Sequence, residues 1–199
     1  MTIRPLLAAA STLALALGAQ AAVAQTGGRS VYISQIGDAN VATVVQTAPN
    51  ARATLDQTGS GNRAEAAQGG SGTALLVATQ TGDLNFVGVR QGGFGGNTLS
   101  IGQTGTGNHL TAAQTARGAI GNGAVLTQAG ADNRMALAQN GDRNSATLAQ
   151  NGDGNRMTAV QTDAGNRLNW TQEGSNLSNL AITQSGAAAV QITQTNGGK

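Results

Sequence analysis

The glutamines of this sequence recur at a regular spacing, and their side-chain amides can form hydrogen bonds to one another. After residue 24 the sequence has 17 glutamines, and 15 of them recur at steps that are mostly 11 residues. A buried amide is unfavourable unless it is hydrogen-bonded, and stacked amides can bond to one another. We therefore predict a structural amide ladder formed by Gln35, Gln46, Gln57, Gln68, Gln80, Gln91, Gln103, Gln114, Gln128, Gln139, Gln150, Gln161, Gln172, Gln184 and Gln194.

Asparagines follow many of these glutamines at a constant offset. Amide ladders of Asn and Gln accompany cross-β stacking, and a slip in register would leave their polar groups unpaired. The eight asparagines that lie five residues after a ladder glutamine are Asn40, Asn62, Asn85, Asn108, Asn133, Asn144, Asn155 and Asn166. We predict that they extend the ladder and help to fix the alignment of the stacked segments.

Residues for acid–base or nucleophilic catalysis are scarce. The sequence has no cysteine, and its single histidine, His109, has no convincing catalytic or metal-binding partners around it. The 11-residue step does not fit the nine-residue period of calcium-binding β-rolls. The sequence contains no Gly-Lys-Ser/Thr motif, so it has no phosphate loop of that kind. We expect no enzyme activity, no catalytic or metal site and no cofactor.

The segments between glutamines alternate in polarity, which predicts the elements that position the amides. Residues 97–103 place Asn, Leu, Ile and Gln on one face and Thr, Ser and Gly on the other. This period of two is typical of a β-strand. Between strands lie sequences such as TGSG, TGDL, NGDR and NGDG, whose Gly, Asn and Asp residues favour tight turns. The repeating unit is strand–turn–strand–turn in about 22 residues.

Such a unit cannot bury its apolar face alone, so we predict that the units stack. The expected fold is all-β: a two-sheet, cross-β β-solenoid of about seven and a half rungs, each of 22–25 residues. Abundant glycine and few aromatic residues disfavour an ordinary globular core, while the strict phase of the glutamines disfavours simple disorder. Trp170 falls on the inward phase, where it is large for a narrow core.

The N-terminal residues predict export. Arg4, an apolar run and the small residues Ala22 and Ala24 are typical of a signal peptide over residues 1–24. The apolar run is short for a membrane span, so we expect none. A short leader (25–29), the repeats (30–194) and a tail (195–199) would follow. The exported part is weakly charged, which gives no reason to expect a nucleic-acid partner.

The motif Gln-x-Gly-x-x-Asn-x-Ala-x-x-x-Gln resembles the curlin repeat of curli, the extracellular amyloid fibres of bacterial biofilms. Residues 35–46, 57–68 and 139–150 match it fully, and the resemblance extends over about residues 30–194. Looser repeats carry a larger apolar residue in place of Ala, and Asp163 replaces a motif glycine.

The resemblance implies a structural subunit that polymerises with itself. It implies a secreted protein that passes through the periplasm to cell-surface fibres supporting biofilm matrix, adhesion and surface colonisation. A nucleating curli subunit and the curli export machinery are the implied partners. The motif leaves open whether this chain is the major subunit or a minor, nucleating one.

The ends of a solenoid expose unpaired strand edges, which solenoids usually cover with polar caps. Neither the first predicted strand nor the last has a proline-blocked or highly charged cap. We predict that the two ends join between subunits, giving an open-ended filament. The residues predicted to join them are Val31 and Ile33 at one end and Val190 and Ile192 at the other.

Two alternatives concern the residues outside the core. Asp38, Asp83, Asp142 and Asp153 are candidate gatekeepers against premature aggregation, or else ordinary solvated turn residues. A function of another class is a monomeric β-solenoid that binds ice or glycans through its outer faces. The irregular outward residues disfavour this second function, since a regular ligand lattice requires a regular face.

Overall fold

The computed structural model describes residues 11–16, 20–26 and 28–196, which form 17 β-strands and no helix. The strands are β1 (Ser11–Ala16), β2 (Gln20–Thr26), β3 (Arg29–Ile36), β4 (Val41–Gln46), β5 (Asn50–Thr58), β6 (Arg63–Gln68), β7 (Thr73–Asp83), β8 (Phe86–Gly93), β9 (Asn97–Thr106), β10 (His109–Ala116), β11 (Gly123–Ala131), β12 (Arg134–Asn140), β13 (Ser145–Asn151), β14 (Arg156–Thr162), β15 (Arg167–Glu173), β16 (Leu180–Ser185) and β17 (Ala189–Thr195). Parts of the predicted signal peptide (1–10 and 17–19), leader (27) and tail (197–199) lie outside the described residues.

Consecutive strands alternate between two sheets. Sheet A has the order β1-β4-β6-β8-β10-β12-β14-β16, and sheet B has the order β17-β15-β13-β11-β9-β7-β5-β3-β2. From β3 onward each strand pairs in parallel with the strand two places further along the chain. Strands β3 to β17 therefore form seven and a half rungs of a two-sheet β-solenoid, which confirms the predicted fold.

The register keeps every ladder glutamine opposite another one. Gln128 is the Cα partner of both Gln103 and Gln150. The longest glutamine step, from Gln114 to Gln128, adds its extra residues to the turn between β10 and β11. Because insertions fall in turns, they do not shift the strands relative to one another.

The core is a narrow column of inward side chains between the two sheets. Small and medium residues such as Ala53, Leu76 and Met157 are buried along it, in one continuous cluster. Trp170 is also fully buried, stacked in register between Leu148 and Ile192. The strand keeps its inward phase at the tryptophan, so the core accommodates the large ring without a register shift.

One glycine of the motif is required by the close stacking of turns. Gly82, two residues after Gln80, has φ of +104°, a conformation that favours glycine. A Cβ atom there would lie 2.2 Å from the carbonyl oxygen of Gly105 in the next rung. At the other corner Asp163, the departure from the motif, adopts φ of +62°, which Asp tolerates better than most residues.

The two ends of the solenoid differ. At the N-terminal end β2 pairs antiparallel with β3, and β1 pairs antiparallel with β4, opposite to the parallel pairing elsewhere. At the C-terminal end β16 and β17 each have one neighbouring strand among the described residues. The described residues include no helix that could cross a membrane.

Candidate functional site

The ladder glutamines form two hydrogen-bonded columns, one in each sheet. In both, the amide Nε2 of one glutamine donates to Oε1 of the next glutamine toward the C-terminal end, at 2.7 to 2.9 Å. The column in sheet B is Gln35, Gln57, Gln80, Gln103, Gln128, Gln150, Gln172 and Gln194. The column in sheet A is Gln46, Gln68, Gln91, Gln114, Gln139, Gln161 and Gln184.

The second amide hydrogen of an interior glutamine is donated to a main-chain carbonyl near the start of a strand in the other sheet. Gln57 Nε2 donates to the carbonyl of Val41 at 3.2 Å, and Gln139 Nε2 donates to that of Gly123 at 3.1 Å. Each column therefore links neighbouring rungs and also ties the two sheets together. These amides are buried, so their paired state contributes to stability and fixes the register.

The asparagines form two columns, one at each corner of the solenoid. Asn40, Asn62, Asn85, Asn108, Asn133 and Asn155 occupy the turns from sheet B to sheet A. Asn97, Asn122, Asn144 and Asn166 occupy the turns from sheet A to sheet B. Asn144 and Asn166 thus belong to a different column from the other six predicted asparagines.

Asparagine side chains bond mainly to the backbone of the neighbouring turns. Asn85 Oδ1 accepts from the backbone N–H of Asn108 at 3.1 Å. Asn108 Nδ2 donates to the carbonyl of Gly130 in the next rung at 2.8 Å. The asparagine columns therefore stabilise the turn stack, whereas the glutamine columns connect side chain to side chain.

The constant offset from the preceding glutamine does not predict Asn97 and Asn122. Their offsets of six and eight residues include the turn insertions. Counted backward, every asparagine in both columns lies six residues before the next ladder glutamine. In the earlier rungs Ala51 and Ala74 occupy this corner and pack in a small apolar cluster with Ala48.

The glutamine columns are polar, and their two ends are complementary. At the N-terminal end Oε1 of Gln35 and Oε1 of Gln46 are buried without a hydrogen-bond partner among the described residues. At the C-terminal end Nε2 of Gln184 and Nε2 of Gln194 donate to main-chain carbonyls only. Two acceptors at one end and two donors at the other lack the glutamine partner that every interior amide has.

Apolar residues at the C-terminal end point inward but remain exposed. Leu180 is 40% exposed and Val190 is 36% exposed, while their Cα partners Met157 and Leu168 are buried. Ile192 is partly buried against the core. At the other end Val31 and Ile33 are buried, and their strand pairs with β2.

Three of the four candidate gatekeeper aspartates bond to the turn of the preceding rung. Asp83 Oδ1 accepts from the backbone N–H of Ser60 at 2.8 Å, and Asp153 Oδ1 accepts from that of Ala131 at 2.7 Å. Asp142 Oδ1 accepts from two successive N–H groups, of which that of Gly118 lies at 2.7 Å. Asp38 lies in the first turn of the parallel stack, where no earlier parallel rung supplies such a donor. These contacts stabilise the turns, and a role against aggregation stays a prediction.

The outer face of sheet A carries His109, the single histidine of the sequence. His109 is exposed and stacks on the ring of Phe86 at a centroid distance of 4.6 Å. Partial burial and the neighbouring Arg134 guanidinium lower the pKa of His109. Among residues 11–16, 20–26 and 28–196, no cluster of three or more His, Cys, Asp or Glu side chains could hold a metal ion.

Comparison with known proteins gives one family. The model of the curlin associated repeat matches residues 30–59 and 130–162. The first match spans β3 to the end of β5, and the second runs from the end of β11 through β14. No curated protein and no solved structure matches the chain. The stretch between the matches continues the same rungs and the same amide columns.

Proposed function

Since this chain is a curlin-type repeat-containing protein, we propose that it is the structural subunit of an extracellular, curli-type amyloid fibre. In this proposal it polymerises with itself after export and supports biofilm matrix, adhesion and surface colonisation. A nucleating subunit and the curli export machinery are the partners that go with such a fibre.

The observation that carries the proposal is the pair of complementary ends. A parallel, in-register stack repeats every 22 to 25 residues, so an end resembles the surface of any interior rung. Leu180 and Val190 are exposed, and Gln184 and Gln194 donate to main-chain carbonyls but to no further glutamine, because no rung follows them. The end of another subunit can supply that rung in a contact that does not close on itself, which makes a filament.

The proposal includes removal of the N-terminal residues that cover one end of the solenoid. Strand β1 and most of β2 lie within residues 1–24, the proposed signal peptide. While they pair with β4 and β3, they cover the strand edges that polymerisation requires. Removal of residues 1–24 on export would expose those edges only outside the cytoplasm.

The test is fibre formation by the chain secreted from a bacterial host, with its N-terminal residue determined by mass spectrometry. We expect thioflavin fluorescence to rise at neutral pH and electron microscopy to show unbranched fibres. Proline at both Ile33 and Ile192 removes edge N–H groups and should slow or abolish growth. Valine at the same two positions retains those groups and serves as the matched control.

Two outcomes would contradict the proposal. A secreted chain that stays a dye-negative monomer for days would favour the monomeric binding module instead. Unaltered fibre growth by the double proline variant would show that the solenoid ends do not join.

A further inference from the structure

The number of strands in the parallel stack is odd. Strands β3 to β17 are fifteen, eight in sheet B and seven in sheet A. Both the first strand, β3, and the last strand, β17, therefore belong to sheet B. This half rung restricts how one subunit can continue the stack of another.

A subunit added by translation alone would leave a gap. Its β3 would stack on β17 in sheet B, and its β4 would lie two strand spacings, about 9.6 Å, beyond β16 in sheet A. One strand position would be empty at each junction, so the edges of β16 and β4 would lack strand partners and the apolar core would be open to solvent through the gap. Both features are unfavourable relative to an uninterrupted stack.

We propose that successive subunits are related by a half-turn about the fibre axis, so that sheet A of one subunit continues as sheet B of the next. This inference rests on the proposed function of fibre formation. Strand β3 of the added subunit then pairs with β16, and its β4 pairs with β17. The half-turn exchanges the two sheets and preserves strand direction, because the chain winds in one sense and the strands of one sheet therefore run antiparallel to those of the other. Every strand position is filled.

The glutamine side chains at the two ends fit this arrangement once the end amides turn from main-chain carbonyls to the glutamines of the added subunit. With glutamine kept in register, Nε2 of Gln184 donates to Oε1 of Gln35 in the added subunit. Nε2 of Gln194 donates likewise to Oε1 of Gln46. The only two buried ladder oxygens without a partner among the described residues are thereby satisfied by the two donors that lack a glutamine.

The same register aligns the apolar residues of the two ends. In sheet A of the first subunit, Leu180 and Ile182 meet Val31 and Ile33 of the added one. On the opposite side, the inward residues of β17 meet those of β4, which are Ala42 and Val44. The four predicted joining residues all lie in the junction, but Val31 and Ile33 do not contact Val190 and Ile192.

The asparagine columns stop at the junction while the glutamine columns cross it. Asn155 Oδ1 accepts from the backbone of Leu177, and Asn166 Oδ1 accepts from that of Ala188. Neither Leu177 nor Ala188 has a side-chain acceptor for a following turn. The two glutamine contacts therefore provide the polar specificity of the junction.

Cysteine pairs can distinguish the two arrangements, since the chain has no native cysteine. Ser34 and Thr183 become direct neighbours across the half-turn junction, whereas Ser34 and Thr193 become neighbours after translation alone. Within one subunit Ser34 and Thr183 lie about 30 Å apart, so they cannot cross-link internally. Adjacent strands at about 4.8 Å are within the range that a disulfide spans.

The experiment compares fibres of the secreted variants S34C/T183C and S34C/T193C after mild oxidation, on non-reducing gels in denaturant. We expect a ladder of covalent multimers from the first variant and at least tenfold less from the second. The variant T147C/N169C is the geometric control, because these outward residues are Cα partners on adjacent strands of one subunit. Its oxidation should give a disulfide within monomers.

Helical reconstruction of the fibres supplies a second measurement. The half-turn predicts a rise of about 36 Å per subunit with a rotation near 180°, superimposed on any twist of the sheets. Cross-linking of the translation pair, equal cross-linking of both pairs, or a rise of about 38 Å without the half-turn would overturn this inference while leaving fibre formation intact. Absence of fibres would instead contradict the proposed function.

Discussion

An interior rung and the C-terminal rung contain the same kinds of residue but place them in different environments. Gln128 has a glutamine on both sides and is buried, whereas Gln194 has a glutamine on one side and is partly exposed. Leu168 is 3% exposed, and Val190, its partner in the last rung, is 36% exposed. Burial in this fold therefore depends on having a neighbour on each side, more than on the identity of the residue.

This difference separates stability from assembly. Substitutions of inward residues in an interior rung should reduce the free energy of unfolding of the monomer, because both neighbouring rungs are present. Substitutions in the last rung should affect the monomer less and the growth of fibres more.

The largest expected effect is that of Trp170→Ala. Trp170 is completely buried, and its Nε1 donates to Gln194 Oε1 at 3.1 Å. Truncating a buried tryptophan leaves a large cavity, and we expect the free energy of unfolding to fall by about 3–5 kcal/mol. Urea unfolding of freshly purified monomer, followed by circular dichroism, measures this change.

Two variants on the same strand pair control for that result. Asn169→Ala changes an outward, exposed residue and should alter stability by less than about 0.5 kcal/mol. Ile192→Ala, above the tryptophan in the last rung, should destabilise the monomer by less than about 2 kcal/mol and yet slow fibre growth severalfold. If Ile192→Ala destabilised the monomer as strongly as Trp170→Ala, the distinction between interior and end would be lost.

The next largest effect concerns the amide ladder. Gln128→Leu leaves Gln103 Nε2 and Gln150 Oε1 buried without their ladder partner, at about 1–3 kcal/mol each. Gln194→Leu removes the acceptor shared by Gln172 Nε2 and Trp170 Nε1, but in the partly exposed last rung, where water can replace it, so the monomer should lose about 1 kcal/mol or less per donor. Urea midpoints measure both changes.

Fibre growth should respond in the opposite order to the monomer effects. Gln194→Leu should slow elongation seeded with wild-type fibres, because it removes a donor from the growing end. Thr127→Leu, an outward substitution beside Gln128, is the neutral control for both measurements. Equal destabilisation by Gln128→Leu and Thr127→Leu would mean that the ladder contributes nothing measurable to stability.

Most of the fold could be predicted from the sequence because one physical requirement recurs in every rung. Each ladder glutamine must face its counterpart, so the steps from Gln35 to Gln194 predict the register directly. The alternation between glutamines predicts the inward residues, including Trp170. Turn insertions do not disturb this pattern, because the strands on both sides still align.

Other features could not be predicted because they depend on turns or on the chain ends. Asn97 and Asn122 follow insertions of different length, so only their distance to the next glutamine is constant. The alanines at positions 51 and 74 show that the same corner can also be filled by apolar packing. The repeat pattern does not predict the pairing of β2 with β3, because residues 20–26 lie outside the glutamine ladder.

The smallest expected effect is the pH dependence of stability that comes from His109, which lies on the outer face of an interior rung. His109 lies between Phe86 and Arg134 in sheet A, and partial burial and the charge of Arg134 lower its pKa below 6.5. Because the folded state disfavours the protonated imidazole, the stabilisation is complete above pH 6.5 and is lost as the pH falls through the lowered pKa.

The measurement compares wild type with His109→Gln between pH 7.5 and pH 5, a range in which ordinary carboxylates remain ionised. We expect the wild-type monomer to lose slightly more stability on acidification than the variant. The effect should be small because the imidazole is exposed and solvent screens the charge of Arg134. A variant with the same pH dependence as wild type would mean that partial burial and the charge of Arg134 leave the imidazole as free to protonate as in the unfolded chain. In that case, having neighbours on both sides would affect the buried core of a rung but not its outer face.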